Sequence, residues 1–263
     1  MLAALLPLAS LPWSDVNLLI VTDVHSWVAG HPHPDHDPVL DADYGHVLSL
    51  QEHLAAAAAA SGRDLFFVQN GDLNDGTGFS RKPPAALLPL LQRMPFDALT
   101  TGNHELYENE NIDFLAQPGG FIDSWTGSFL TANTLNATTG EHLGASHKLL
   151  VGPNSGVRVL TFGFLYDMTN HGDHVTVTPV EEVVAQAWFL AALNATEAYD
   201  ALVFLTRTPL WASSPRLAEQ RFIWCSRVPS PTSRQTCTTR TRSSTCCMPL
   251  HAPSSARRSP YSS

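Results

Sequence analysis

Two stretches near the start of the chain, VNLLIVT (residues 16–22) and DLFFVQN (64–70), are apolar without alternation, the pattern of strands buried on both faces. Between them lies a loop crowded with His, Pro and Asp. Residues 44–60 follow, ending in alanines, and predict a helix that stops near Gly62. Residues 71–80 form a polar loop, and 84–94 suit a helix with Pro in its first turn. FDALTT (96–101) reads as a third short strand that runs straight into Gly102. This strand–loop–helix rhythm predicts a largely parallel α/β sheet.

From about residue 128 the texture changes. FLTANT, HKLLVG and VRVLTFGF predict shorter strands separated by Asn, Gly and Pro turns, some of them antiparallel. Residues 180–195 have helical periodicity, with Val183, Val184, Trp188, Leu190 and Leu193 near one face. ALVFLT (201–206) is a last buried strand. Beyond it the period is lost. Residues 213–263 are mostly Ser, Thr, Pro and Arg, a composition that buries too little apolar surface to offset chain ordering and predicts disorder. The expected organisation is an apolar N-terminus over 1–12, one domain over 13–206 and a tail over 207–263, with no internal repeat.

Charge sharpens this division. The formal net charge is −9, but after Thr206 there are nine arginines against the single acid Glu219. The first 206 residues hold 6 Lys plus Arg against 23 acids. So acidic a body repels nucleic-acid backbones and suits a protein that gathers cations. All four cysteines lie in the tail without a CxxC pair, a poor zinc pattern. No apolar run is long enough to span a membrane. The N-terminal MLAALLPLASLP lacks a basic n-region and reads as a short signal peptide or as an apolar lead-in to the first strand. Sequons at Asn136 and Asn194 fit a glycoprotein on the secretory route.

Three motifs carry the candidate chemistry: Asp23-x-His25, Gly71-Asp72-x-x-Asp75 and Gly102-Asn103-His104-Glu105. Each falls just past the C-terminal end of an expected strand, where open α/β sheets place their ligands. Any one Asp or Asn in such loops is more often a turn or cap residue, so the weight rests on their joint order and placement. Attack on a phosphate ester is resisted by its anionic oxygens. Two divalent cations about 3.5–4 Å apart overcome this, and they need a bridging carboxylate with O and N ligands on each side. Asp23 with His25, Asp72 and Asn103 are ligands of those types.

In this order the motifs resemble the calcineurin-like metallophosphoesterase superfamily. The runs LPWSDVNLLIVTDVHSW, DYGHVLSL, GDLNDGTGFS and TGNHELY are more narrowly similar to fungal and protist relatives of the secreted 5′-nucleotidases. The resemblance covers roughly residues 11–206. It implies an α/β metallophosphoesterase fold, a four-layer αββα sandwich, here incomplete at its C-terminal end. It implies two divalent ions (Mn, Zn or Fe), with Asp23 and His25 on the first, Asp72 bridging, Asn103 on the second and His104 beside the scissile phosphate. The implied substrate is a small phosphate monoester, nucleotides among them, attacked in line by a hydroxide held between the ions.

The sequence departs from the family at several points. Asp75 stands where purple acid phosphatases have a metal-binding Tyr, which argues against the purple iron subtype. Bacterial 5′-nucleotidases continue Gly-Asn-His-Glu-x-Asp, the Asp partnering the catalytic His; Tyr107 stands there in this chain. The family also places a His after a later strand and a Gly-His-x-His beyond it. Here ALVFLT runs into Arg207, no Gly-His-x-His exists, and His251 is the one histidine after His174. The residues after Thr206 therefore read as a truncated or frame-shifted continuation. Two other readings stay open: an inactive secreted glycoprotein remnant of the fold, and another phosphoesterase branch such as a sphingomyelinase or phosphodiesterase. His31, His33 and His36 read as a solvated loop because Pro32 and Pro34 limit their convergence. His171 and His174 precede a strand rather than follow one, which argues against replacement ligands, and Trp188 with Phe189 read as helix packing.

Overall fold

The computed structural model describes residues 11–30, 42–76, 84–195 and 199–206, and the backbone of two strands at 222–225 and 247–249. The apolar N-terminus over 1–10, the loop with His31, His33 and His36, Arg207, His251 and most of the tail lie outside the described residues.

Strand β1 (Leu18–Val21), helix α1 (Tyr44–Ala60), strand β2 (Phe66–Asn70), the single turn α2 (Leu88–Leu91) and strand β3 (Ala98–Thr100) follow in chain order. Helices α3 (Asn109–Ala116) and α4 (Phe121–Ser124) precede β4 (Phe129–Leu130) and β5 (Thr134–Asn136). Strands β6 (Lys148–Val151), β7 (Arg158–Phe164) and β8 (Val175–Val177) lead to α5 (Val180–Val183), α6 (Ala187–Leu193) and β9 (Ala201–Thr206). The last two are β10 (Phe222–Cys225) and β11 (Cys247–Pro249).

One sheet has the order β11-β1-β2-β3-β4, every neighbouring pair parallel. The second, β10-β9-β7-β6, is parallel except for the antiparallel β6–β7 hairpin. A small antiparallel pair, β5–β8, stands apart.

The central strands are mostly apolar because each faces two cores. Alternate residues point to opposite sides of a strand. Leu18, Phe66, Val68, Ala98 and Leu130 of the first sheet thus meet Leu150, Val159, Val203 and Leu205 of the second in a core between the sheets. The intervening Leu19, Val21, Phe67, Leu99 and Phe129 pack outward against Leu54, Leu91, Phe121 and Trp125 of the helical layer. On the far side Phe162, Phe164, Leu202 and Phe204 pack against Val180, Val183, Phe189 and Ala192. This helix–sheet–sheet–helix order is the expected four-layer sandwich. At about 1.5–3 kcal/mol per fully buried large apolar side chain, these three cores dominate its stability.

Helix α1 has the expected bounds. Its start is fixed by Asp43, whose side chain accepts from His46 N–H, and its end by Gly62 at φ 64°. Three expectations are corrected. The helix over 84–94 is only Leu88–Leu91, since Pro89 lacks the N–H that a helix running from 84 requires. FLTANT is two strands in different sheets. Asn133 turns the chain between them, accepting from Leu165 N–H and donating to the carbonyls of Leu165 and Thr178. The helix over 180–195 breaks at Val184–Gln186 into α5 and α6, so that Val180 and Phe189 can both reach the second sheet. Within the tail, the backbones of β10 and β11 add one strand to each sheet.

Candidate active site

All three motifs lie at the C-terminal edge of the first parallel sheet, after β1, β2 and β3. Their loops are laced together by backbone bonds. Asp23 N–H donates to Gly71 O (3.1 Å), His25 N–H to Asp72 O (3.0 Å) and Ser26 N–H to Leu73 O (2.8 Å). Five non-glycine residues among those described have positive φ: Asp23 (57°), His25 (48°), Ser26 (64°), Asp72 (54°) and Asp75 (54°). All five sit in these loops. Such left-handed conformations cost on the order of 1–3 kcal/mol each and concentrate where function demands them.

Glu105 holds the loops from beneath. Fully buried, it accepts from the N–H groups of Asp72 (2.9 Å), Asn74 (2.9 Å) and Gly102 (2.6 Å). Burial, and then the Asp72 charge beside it, push its carboxyl up to about 7 against the pull of those donors. Gly102 allows the loops to meet, because a Cβ there would collide with the Asp72 carboxylate and backbone nitrogen. This clamp is a feature that the motif reading missed. The acid was visible as the last letter of Gly-Asn-His-Glu, but only the fold shows that it faces inward.

His25, Asp72 and His104 bring nitrogen and oxygen donors within 4.8 Å of one another. Asp72 is fully buried, and its Oδ1 accepts from His104 N–H at 3.1 Å. The two imidazoles meet edge to face with centroids 4.4 Å apart. Both turn Nδ1 toward one atom, the backbone oxygen of Asp75, at 3.3 Å for His25 and 3.0 Å for His104. A carbonyl only accepts, so both rings carry hydrogen on Nδ1 when neutral and expose Nε2 as a lone pair. The left-handed Asp75 thus sets two tautomers with one carbonyl. Its carboxylate also stands 3.4 Å from His104 Nδ1, a carboxylate partner where the sequence has Tyr107 in place of the expected Asp.

His25 Nε2 then faces Asp72 Oδ2 at 3.5 Å. Two donors each about 2.0–2.2 Å from a shared ion at a tetrahedral angle would lie about 3.4 Å apart. The residues therefore fit a divalent cation in both chemistry and spacing.

The remaining candidates are placed nearby with different partners. Asp23 lies at the end of β1 but outside this mutually close group, its Oδ2 accepting from Thr22 Oγ1. Asn103 is buried, and its Nδ2 donates to Tyr107 Oη at 2.7 Å. The end of β9 also reaches this edge, where Thr206 O accepts from Asn70 Nδ2 at 3.2 Å. His171 and His174 do not join the group. Their loop is tied to the turn after the third motif by Gly172 N–H to Leu106 O, and His174 Nδ1 meets Asp113 Oδ1 at 2.6 Å. Phe189 is buried against Phe162 at 4.8 Å, in keeping with a packing role. Asn136 ends β5 with its Oδ1 accepting from Thr138 and Thr139 N–H, and the exposed Asn194 caps α6. Thr196 of the second sequon lies outside the described residues.

Comparison with known proteins returns the same architecture. The family model described as calcineurin-like phosphoesterase matches residues 16–226. A protein of Arthroderma benhamiae named as a secreted protein is 28% identical over 77% of this chain and 31% of its own length. A Schizosaccharomyces pombe protein of uncharacterized function is 30% identical over 71% of this chain and 31% of its own length. The chain thus spans about a third of these curated relatives. Among solved structures, the 5′-nucleotidase of Candida albicans superposes with a TM-score of 0.71 at 27% identity, covering 82% of this chain and 43% of that one. The sulfate thiohydrolase SoxB of Thermus thermophilus shares the fold, with a TM-score of 0.61 at 15% identity over 82% of this chain and 48% of that one. No helix among the described residues is long and apolar enough to cross a membrane.

Proposed function

Because the chain belongs to the calcineurin-like phosphoesterase family, we propose that it is a metal-dependent hydrolase of small phosphate monoesters, nucleotides among them. The observation that carries this is the convergence of His25, Asp72 and His104 at the sheet edge, with ligand atoms within 4.8 Å of one another and His25 Nε2 3.5 Å from a buried carboxylate. Asp23 and His25 would hold one divalent ion, Asp72 would bridge to a second, and Asn103 would offer it an amide oxygen. Such ions supply Lewis acidity toward phosphoryl oxygens and lower the pKa of water.

The protein's own groups do the rest. His104, its Nδ1 fixed on Asp75, would turn Nε2 to the scissile phosphate, where it steadies charge or assists the leaving oxygen. Asp75 is a positioning residue that fixes the His104 ring through its backbone oxygen and carboxylate. Glu105 keeps the loops from spreading. The likeness to the Candida 5′-nucleotidase supports nucleotides as substrates. The secreted relative, together with the sequons at Asn136 and Asn194, supports a glycoprotein on the secretory route.

The test is hydrolysis of p-nitrophenyl phosphate and AMP by the full chain with Mn²⁺ or Zn²⁺, beside the Asp72→Ala variant. The wild type should turn over and the variant lose at least about 100-fold, the scale of one lost electrostatic contact to the transition state. Equal rates in both would remove the enzyme reading and leave a fold that binds cations without turnover.

A further inference from the structure

Asn103 is a buried amide with two unlike ends. Its oxygen can bind a cation and its NH₂ group cannot. Only 8% of its surface is exposed, so water cannot readily satisfy whichever end is turned away. Asn103 Nδ2 donates to Tyr107 Oη at 2.7 Å. The tyrosine is carried there by the turn in which Leu106 N–H donates to Asn103 O at 3.0 Å. Its ring is anchored independently of the amide, partly buried against the core of the first helical layer and edge-to-face on His104 at 5.2 Å and 81°. The hydroxyl is therefore a fixed point beside the amide.

We infer that Tyr107 is a positioning residue, holding Asn103 by the nitrogen end so that Oδ1 is presented as a ligand. This deepens the metal-centre reading above and rests on it. The position that lacks the carboxylate expected beside His104 thus has a different task, on the neighbouring ligand, while Asp75 attends to the histidine. A hydrogen bond to the far end of a ligand fixes its orientation and strengthens the donor atom, and its loss typically costs about 10–100-fold in metal affinity.

The test is manganese binding by calorimetry on the full chain, with no substrate, in a double-mutant cycle. Tyr107→Phe keeps the ring and removes the hydroxyl; it should weaken Mn²⁺ binding by about 10-fold or more. In an Asn103→Asp background the same change should cost less than about twofold, because a carboxylate has an oxygen at either end and no wrong orientation. Wild-type affinity in Tyr107→Phe would overturn the inference. So would equal losses in both backgrounds, which would mark Tyr107 as packing. If the folded wild type binds no manganese, the metal-centre reading itself fails and the inference falls with it.

Discussion

Two buried carboxylates stand at opposite ends of β2, and both do the same mechanical work under opposite electrostatic conditions. Asp64, before the strand, accepts from Asn154 N–H and Nδ2 and from Ser155 N–H and Oγ, tying the start of β2 to the turn between β6 and β7. Glu105, beyond the far end, accepts from Asp72, Asn74 and Gly102 N–H and ties three motif loops together. Burial alone would raise Asp64, but its donors outweigh it and hold the carboxyl below 3.8. At Glu105 burial wins, with the Asp72 charge adding to it. The difference lies first in how completely water is excluded from Glu105, and then in the acid beside it. A second buried negative charge next to a loop clamp is a liability for stability alone, and it makes sense where a cation is to be received.

The largest break in the comparison should come from Glu105→Leu. It strands three buried N–H groups, each worth about 1–3 kcal/mol when unpaired. Urea unfolding should show a loss of about 3 kcal/mol or more, with manganese binding lost as the loops separate. A loss under about 1 kcal/mol would mean that the backbone bonds between the loops suffice without the clamp. The matching change at the other end, Asp64→Ala, should cost about 2 kcal/mol, since part of its donor set can turn to solvent. Hydrolysis of p-nitrophenyl phosphate by the surviving folded protein should be unchanged. A fall in turnover at constant folded fraction would break the separation between a structural end and a chemical end.

That separation was unevenly legible in the sequence. The layers and strand positions could be read because β1, β2, β7 and β9 are mostly apolar without alternation, as a strand covered on both faces permits. The placement of the motif loops could be read because each directly follows such a strand. What escaped were features set by contacts across the fold. Asn133 divides FLTANT by bonding to residues 32 and 45 positions away. The helix at Asn109–Ala116 was not anticipated, although Ile112 and Leu115 give it an apolar face. At the site, Asp75 looked like a departure from a purple-phosphatase pattern. Its role for His25 and His104 depends on a left-handed backbone that aims its carbonyl, and no spacing rule encodes that.

The smallest effect is also the sharpest discriminator between the two carboxylates. Asp64 in the folded protein releases its proton at a lower pH than it would unfolded, so the unfolded chain binds the proton more readily. Its contribution is therefore complete above the ordinary carboxylate value and fades as pH falls through the lowered one. The stability advantage of wild type over Asp64→Asn, measured by urea unfolding, should stay constant from pH 7 to pH 5 and shrink below about pH 4. An advantage that instead grew as pH fell from 7 to 5 would require an Asp64 carboxyl raised by its burial. In that case the donors of Asn154 and Ser155 would not be compensating for lost water, and the contrast in direction with Glu105 would vanish.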